Sequence, residues 1–407
     1  MMKKVLVGAL ELVKPDVDER KEVNTAVTSF LTKLNKGLKG MKAVLGGSGA
    51  KGTWTKGIRD ADIYMKFGYA QYNDKSDGIS DLLEKELKKR FKGVKRLHGS
   101  RDYFQTKDNG FLFEIIPILD IRNSKQAVNI TDISPLHTKF VSKHKKIADD
   151  ILLAKGFCKS IGVYGAESFI KGFSGYVIEI LTIHYKGFEG FVKNISKWKD
   201  KTILDPAKYH KNVMFEVNKS KLESPLVLID PVEEGRNAAA ALGEDKYRLL
   251  ISKCKSFMKK PGLSYFTTKE FSADSLKGKD LIVYCESLSG KMDVVGSKLL
   301  KVFEMLNKRL GDFGPKGDWH WDQKNKAYLW FSFKSKKLSN EMVFNGPPIE
   351  LDKHVKIFKK KYKNAFVKNG RVFAKIKRKY TIPDELVLEV IKDNYVKEKV
   401  KKICLMK

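Results

Sequence analysis

Two carboxylates two residues apart, Asp60 and Asp62, follow a Gly46-Gly47-Ser48 triplet in the run LGGSGAKGTWTKGIRDADIYMKF. Strand side chains alternate between faces, so residues i and i+2 share one. A hard divalent cation such as Mg²⁺ takes oxygen ligands from one or two carboxylates together with substrate phosphates. A Gly-Gly-Ser turn can offer backbone N–H groups and a hydroxyl to a triphosphate. The pattern points to metal-dependent nucleotidyl transfer. Glu114 stands among apolar neighbours in FLFEIIPI. A carboxylate so placed is costly unless it is paired or binds metal, which makes it a candidate third ligand. Two metals about 4 Å apart can activate a 3′-hydroxyl and clamp a leaving pyrophosphate.

The elements that must position these groups are short strands and amphipathic helices. Leu31, Leu34 and Leu38 follow a helical period in the first forty residues. MKAVL is a short buried strand entering the Gly-Gly-Ser turn, residues 62–67 a second strand, and residues 111–118 a third. Asp120 would share the Glu114 face in an unbroken strand, but Pro117 argues for a break between them. Residues 81–90 form a charged helix. From Asp132 to about Lys260 the pattern is helical. Ser134 is the expected N-cap, with one long helix running toward Gly162 and another across GFSGYVIEILTIHYKGFEGFVKNISKW. Beyond Lys260, LIVYCES, YLWFSFKS and VFAKIKRKY read as strands, with VGSKLLKVFEMLNKRLG an amphipathic helix between them.

The chain has 407 residues, 42% of them hydrophobic, enough for several cores. Its 80 basic against 48 acidic residues give a net charge of +32, the footprint of a polyanion-binding protein. Four widely spaced cysteines offer no zinc-like spacing and suit a reducing, cytoplasmic setting. The N-terminal residues lack the apolar core of a signal peptide. No run of about 18 apolar residues occurs, so no membrane partner is expected. The G-S-x₁₁-D-x-D spacing by itself also admits antibiotic nucleotidyltransferases and poly(A) polymerases.

Four further motifs narrow this. GSGAKGTWTKGIRDADIY, TDISPLHTKFV, KSIGVYGAESFIKGFSGYVIEILTIHY and LVLIDPVEEGRNAAAAL occur in this order. Together they resemble the archaeal class I CCA-adding enzymes, tRNA nucleotidyltransferases of the DNA polymerase β-like superfamily. The resemblance runs from the N-terminus to about Leu388 and is densest in residues 44–67, 131–186 and 226–242. It implies an α+β multidomain fold. A polymerase β-like catalytic palm would occupy residues 1–140, a helical nucleotide- and primer-binding domain 141–260, and an α+β RNA-binding body with a short basic tail 261–407. It implies addition of CMP, CMP and AMP to the 3′ end of tRNA from CTP and ATP, with Mg²⁺ and without a nucleic-acid template. A-only or CC-only addition and a non-catalytic tRNA-binding protein are the alternatives.

The same resemblance assigns residues. Asp60, Asp62 and Glu114 would bind metal, with Glu114 where the family usually has Asp. Ser48 and Lys51 would reach phosphate, with Lys51 where the family often has Arg. His137, Lys155 and Tyr164 would hold the triphosphate, and Arg236 would select the base and meet the primer end. Read locally, these four are ordinary: a first-turn helix histidine, a solvent-facing helix lysine, a core tyrosine, and an arginine paired with Glu233 or Glu234. Gly172 and Gly175 are motif members with close packing as their expected role. FNGPPIEL and KNGRVFAKIKRKYTIPDELV resemble the part that holds the tRNA acceptor stem and TΨC arm. After TIPDELV the chain is shorter than the family pattern, which implies weaker docking there. Family members are often dimeric, so a homodimer is implied.

Overall fold

The strands and helices assemble, in a computed structural model that describes residues 2–268 and 270–406, into two units, residues 1–269 and 270–407. The first unit begins with α1 (Met2–Val13) and α2 (Val17–Asn35) and continues through β1 (Met41–Leu45), α3 (Gly47–Lys51), β2 (Asp60–Gly68), α4 (Tyr69–Tyr72) and α5 (Ile79–Arg90) to β3 (Lys95–Leu97), β4 (Tyr103–Asp108) and β5 (Phe111–Asp120). The five strands form one sheet in the order β1-β2-β5-β4-β3, with only the central β2–β5 pair parallel. A left-handed Asn109-Gly110 turn closes the β4–β5 hairpin, the residue pair such a two-residue turn favours. The apolar face of α2 packs on this sheet through Phe30, whose ring stacks on Phe113 at 3.9 Å and on Phe91 at 4.5 Å. Leu31 and Leu34 lie on α2 as their period predicts, whereas Leu38 lies beyond its end, though it still packs against the same core.

Strand β5 does not break at Pro117. Leu112 donates its N–H to Arg59 O on the β2 side. The odd-numbered positions therefore face the β4 side, and β4 begins only at Tyr103, opposite Ile116. Pro117 thus occupies a place where no ladder hydrogen bond is required of it, which a strand tolerates. Arg101 donates to Pro117 O (3.2 Å), and the Asp132 side chain accepts Leu119 N–H (2.9 Å), closing the rest of that edge. Asp120 consequently does share the Glu114 face, at the far end of the strand, where it is paired with Lys66 at 2.6 Å.

The helical stretch is more divided than its sequence suggests. It comprises α6 (Ser134–Ser142), α7 (Ala148–Ser160), α8 (Gly175–His184), α9 (Phe188–Ile195), α10 (Val213–Glu216) and α11 (Glu244–Lys259). Ser134 is the first residue of α6 and not its cap. Asn129 caps the preceding 3₁₀ turn in a capping box with Asp132. The expected helix toward Gly162 is interrupted after α6, where His144 and Ile147 leave helical geometry. The second is interrupted by left-handed Lys186 and Gly187. The region also contains a three-stranded sheet, β6 (Thr202–Leu204), β7 (Leu226–Asp230) and β8 (Glu233–Asn237), so LVLIDPVEEGRN is a strand, turn and strand. Its core gathers Phe157, Ile178, Phe188, Phe191, Tyr247 and Phe257 from several elements, and Ala9 and Val13 of α1 join it. Gly172 lies where a Cβ would meet Val163 O at 2.3 Å, the close packing expected of it.

The second unit contains β9 (Leu281–Ser287), α12 (Met292–Arg309), β10 (Pro315–Trp321), β11 (Lys326–Phe333), β12 (Glu341–Pro348), α13 (Asp352–Lys361), β13 (Ala365–Lys368), β14 (Arg371–Lys377), α14 (Pro383–Val390), α15 (Asn394–Lys397) and β15 (Val400–Met406). The strands read from LIVYCES, YLWFSFKS and VFAKIKRKY are β9, β11 and β14, and the helix between them is α12. Two antiparallel sheets result, β10-β11-β9-β15 and β12-β14-β13. No helix among the described residues is long and apolar enough to cross a membrane.

Candidate nucleotidyl-transfer site

The register of β2 against β5 places Asp62 directly beside Glu114, with Asp60 beside Leu112. Asp60, Asp62 and Glu114 therefore share one face of the sheet. Gln105 of β4 extends the row, its Nε2 donating to Glu114 Oε1 at 2.5 Å. Asp62 and Glu114 are half-buried, whereas Asp60 is exposed. Burial, reinforced by the neighbouring Glu114 and Asp60 charges and only partly offset by Lys51, pushes the Asp62 carboxyl up to about 6. Three like charges along one face are what a divalent cation relieves. Among the described residues, however, no group of three or more His, Cys, Asp or Glu side chains is already arranged around a metal position. The carboxylates form a row and not a closed cage, which fits a cation whose remaining ligands come from phosphate oxygens.

Two backbone donors of the Gly-Gly-Ser segment are engaged within the fold. The segment is the start of α3, and Gly46 N–H donates to Asp62 O (2.8 Å) while Gly47 N–H donates to the Tyr64 hydroxyl (3.2 Å). Those two donors fasten α3 to β2 and are not directed at a ligand. Gly47 adopts a left-handed φ of +51°, and a Cβ there would sit 1.7 Å from Asp62 Oδ2. The absence of a side chain at Gly47 is what makes room for the Asp62 carboxylate. Ser48 is half-buried on α3, its carbonyl accepting Thr53 N–H at 3.0 Å.

Lys51 ends α3 and reaches Glu179 Oε2 of α8 at 2.7 Å. Lys155 of α7 is buried and not solvent-facing, and it bonds Glu179 Oε1 (2.8 Å), Thr53 O (3.0 Å) and Thr53 Oγ1 (3.1 Å). Burial pushes the Glu179 carboxyl up, but Lys155 and Lys51 together hold it below its ordinary range. Burial lowers the Lys155 ammonium, with Glu179 acting in the opposite sense. Tyr164, bridged to Phe173 beside α7, carries Lys159 over its ring at 5.0 Å, and burial raises its phenol.

A second carboxylate gathers the remaining residues. His137 stacks on Tyr176 with 4.0 Å between centroids, and its Nε2 lies 3.0 Å from Asp230 Oδ2. Arg236 of β8 donates to the same oxygen at 2.5 Å, its primary partner, with Glu233 4.0 Å away. Tyr176 Oη and Val232 N–H donate to Asp230 Oδ1 at 2.9 and 3.0 Å. Burial pushes Asp230 up, yet His137, Val232 and Arg236 keep it below the usual carboxylate range. The Lys51 ammonium lies 5.9 Å from the Tyr176 ring and so links the two clusters.

Glu179, Thr53, Tyr176, Asp230 and Gln105 were not singled out from the sequence. Glu179 and Asp230 carry the signal that exposed Glu114, a lone acid in an apolar run, in YVIEILTI and LVLID.

Two family models match, "tRNA nucleotidyltransferase, second domain" over residues 149–267 and "CCA-adding enzyme, C-terminal domain" over residues 294–402. The CCA-adding enzyme of Nanoarchaeum equitans is 35% identical over 349 residues, covering 84% of this chain and 85% of that one. This chain belongs to the CCA-adding enzyme family. The CCA-adding enzyme of Methanosarcina acetivorans is 30% identical over 398 residues, covering 92% of this chain and 86% of its own. Among solved structures, a cytoplasmic RNA terminal U-transferase superposes with a TM-score of 0.50 at 16% identity, covering 66% of this chain and 99% of that one. Cid1 in complex with its product ApU gives 0.51 at 14% identity, covering 66% and 98%. These two support the nucleotidyltransferase fold alone. The CCA-adding enzyme family is one of tRNA nucleotidyltransferases, whose substrates are tRNA and nucleoside triphosphates and whose chemistry uses divalent metal ions.

Proposed function

We propose that the chain completes tRNA by adding CMP, CMP and AMP in turn to its 3′ end from CTP and ATP, releasing pyrophosphate at each step and using no nucleic-acid template. The observation that carries the reading is the row of Asp60, Asp62 and Glu114 beside α3 in a chain of this family. The terminal ribose hydroxyl attacks the α-phosphorus. One P–O bond forms to that oxygen, the bond to the pyrophosphate breaks, and the hydroxyl proton passes to a base. Asp60 and Asp62 would hold Mg²⁺, with Glu114 as a third ligand near the attacking hydroxyl. When bound, Mg²⁺ neutralises developing charge on the phosphoryl oxygens. Ser48 and Lys51 reach phosphate from α3, His137 and Tyr164 line the triphosphate, and Lys155 contributes its charge from beneath. Arg236, oriented by Asp230, faces the base and the primer end.

The functional division into catalytic residues 1–140, nucleotide- and primer-binding residues 141–260 and an RNA-binding body and tail 261–407 belongs to this proposal. So do contacts of the last part with the acceptor stem and TΨC arm, a homodimer, and a cytoplasmic setting. Four free thiols support that last reading. The test supplies CTP or ATP alone to tRNAs lacking CCA, ending in C, and ending in CC. CTP should extend the first two and ATP only the third. ATP incorporation alone, or CTP alone, would replace the reading with a single-specificity enzyme.

Because the Asp62 carboxyl sits near 6, a proton competes with the cation there. Mg²⁺ affinity should be full well above pH 6 and fall as the pH drops through it. Calorimetric titration between pH 5 and pH 8 checks this, and an affinity flat across that range would contradict it.

A further inference from the structure

In the second unit, β9, α12, β10, β11, α14 and β15 follow a β-α-β-β-α-β order, with the small β12-β14-β13 sheet and α13 inserted before α14. The sheet order β10-β11-β9-β15 puts the first and third strands of that unit at the centre. This is the ferredoxin-like arrangement, whose four-stranded sheet in RNA-recognition motifs stacks nucleobases on aromatics of those same central strands. Fold alone licenses no ligand, so the side chains must decide.

One face of the sheet is its core. Val283, Cys285, Ala327, Leu329 and Phe331 are buried there, and Phe303 of α12 stacks on Phe331 at 5.6 Å. The opposite face is aromatic. Tyr328 of β11 lies opposite Tyr284 of β9 and His320 of β10, and Trp330 is two residues along β11. These side chains are half-buried. Lysines bracket the aromatic rows. Lys326 and Lys402 flank Glu286 at one end, and Lys316 lies opposite Ser332 at the other, with Asp318 beside Trp330. The Phe271 ring lies flat against this surface. It stacks on His320 at 4.0 Å and 14° and on Trp330 at 5.8 Å and 22°, with Tyr328 at 5.3 Å. It sits as a planar base would.

We propose that this aromatic sheet face binds an unpaired nucleobase of the RNA substrate by stacking, with Phe271 holding that place in the RNA-free protein. The lysines would take the adjoining phosphates. The proposal rests on the tRNA reading above and adds to it a base-stacking platform in the second unit. An aromatic platform is worth about 1–3 kcal/mol per stacked base, or roughly 5- to 150-fold in affinity.

The test measures binding of a tRNA transcript lacking CCA to the full chain by fluorescence anisotropy, together with CTP incorporation at saturating RNA. Tyr328→Leu and Tyr284→Leu should each weaken binding at least about fivefold while leaving incorporation at saturating RNA unchanged. Tyr328→Phe, which keeps the ring, should bind as the parent does, and thermal unfolding checks that the leucine variants remain folded. Phe271→Ala should bind more tightly, because no ring has to be displaced. Parent-like affinity in both leucine variants would overturn the proposal and assign the face to some other role. So would Phe271→Ala weakening binding as they do. Failure of the parent chain to incorporate any nucleotide would instead defeat the tRNA-completion reading, and the binding comparison would still judge the platform.

Discussion

Asp62→Ala should abolish nucleotide incorporation, by at least about 10³-fold in kcat/KM, while tRNA binding stays within a factor of a few. A metal-bound carboxylate contributes several kcal/mol of charge stabilisation to phosphoryl transfer, and each 1.36 kcal/mol is tenfold in rate. RNA affinity rests largely on basic groups, which this substitution leaves in place. The same variant should be no less stable than the parent in the absence of metal. Asp62 is raised in the folded protein by burial and by Glu114 and Asp60. A carboxyl raised on folding opposes the native state once the pH exceeds its unfolded value near 4, and opposes it fully above about 6. Removing it at pH 7.5 should leave the metal-free Tm unchanged or higher. Single-turnover incorporation and thermal unfolding in chelator measure the two effects. Activity within tenfold of the parent would sink the catalytic assignment.

Glu179→Ala should cost about 3–5 kcal/mol of stability. It leaves Lys155 buried with no carboxylate and releases Lys51, the usual outcome when one partner of a buried pair is removed. For a unit of this size, that is a fall in Tm on the order of 10 °C. Glu179→Gln, which can still accept from Thr53 Oγ1 and Lys155, should lose less. Replacing both partners, Glu179→Leu with Lys155→Met, should recover part of the loss, because the more deeply buried Lys155 charge is removed together with its carboxylate, although Lys51 still loses its partner. Incorporation should fall in all three variants, since Glu179 fixes Lys51 at the end of α3. A Tm within about 2 °C of the parent for Glu179→Ala would mean that the cluster does not hold α3 against α7 and α8.

What could be read from the sequence depended on whether the deciding interaction was local. Asp60 and Asp62 were legible because a strand's two-residue period acts within three residues. Glu114 was legible because an acid in an apolar strand is costly wherever the strand lies. Glu179 is the same anomaly in a helix, but an isolated acid on a helix normally faces water, and only the packing of α7, α8 and α3 buries it. The two overextended helices failed for different reasons. Gly187 marks one break, whereas KHKK contains neither Gly nor Pro, so nothing local announces that α6 ends there. Pro117 misled in the other direction. Whether a proline interrupts a strand depends on which neighbour its nitrogen faces, and that follows from how far β4 extends. In the β6-β7-β8 sheet, β6 pairs with β7 across a long connection, and the short β7–β8 hairpin lay inside a stretch read as helical. Lys155 and Arg236 found partners, Glu179 and Asp230, that are distant or unflagged in sequence.

The fit between Gly47 and Asp62 has a consequence for genetics. Position 47 offers no functional group, yet any side chain there displaces the carboxylate behind it. A saturation screen scored on growth would place this glycine among the reactive residues, with the smallest replacements already null. Its phenotype would belong to Asp62. Loss-of-function maps of this chain would therefore show a chemically silent position as intolerant as the acid it shelters.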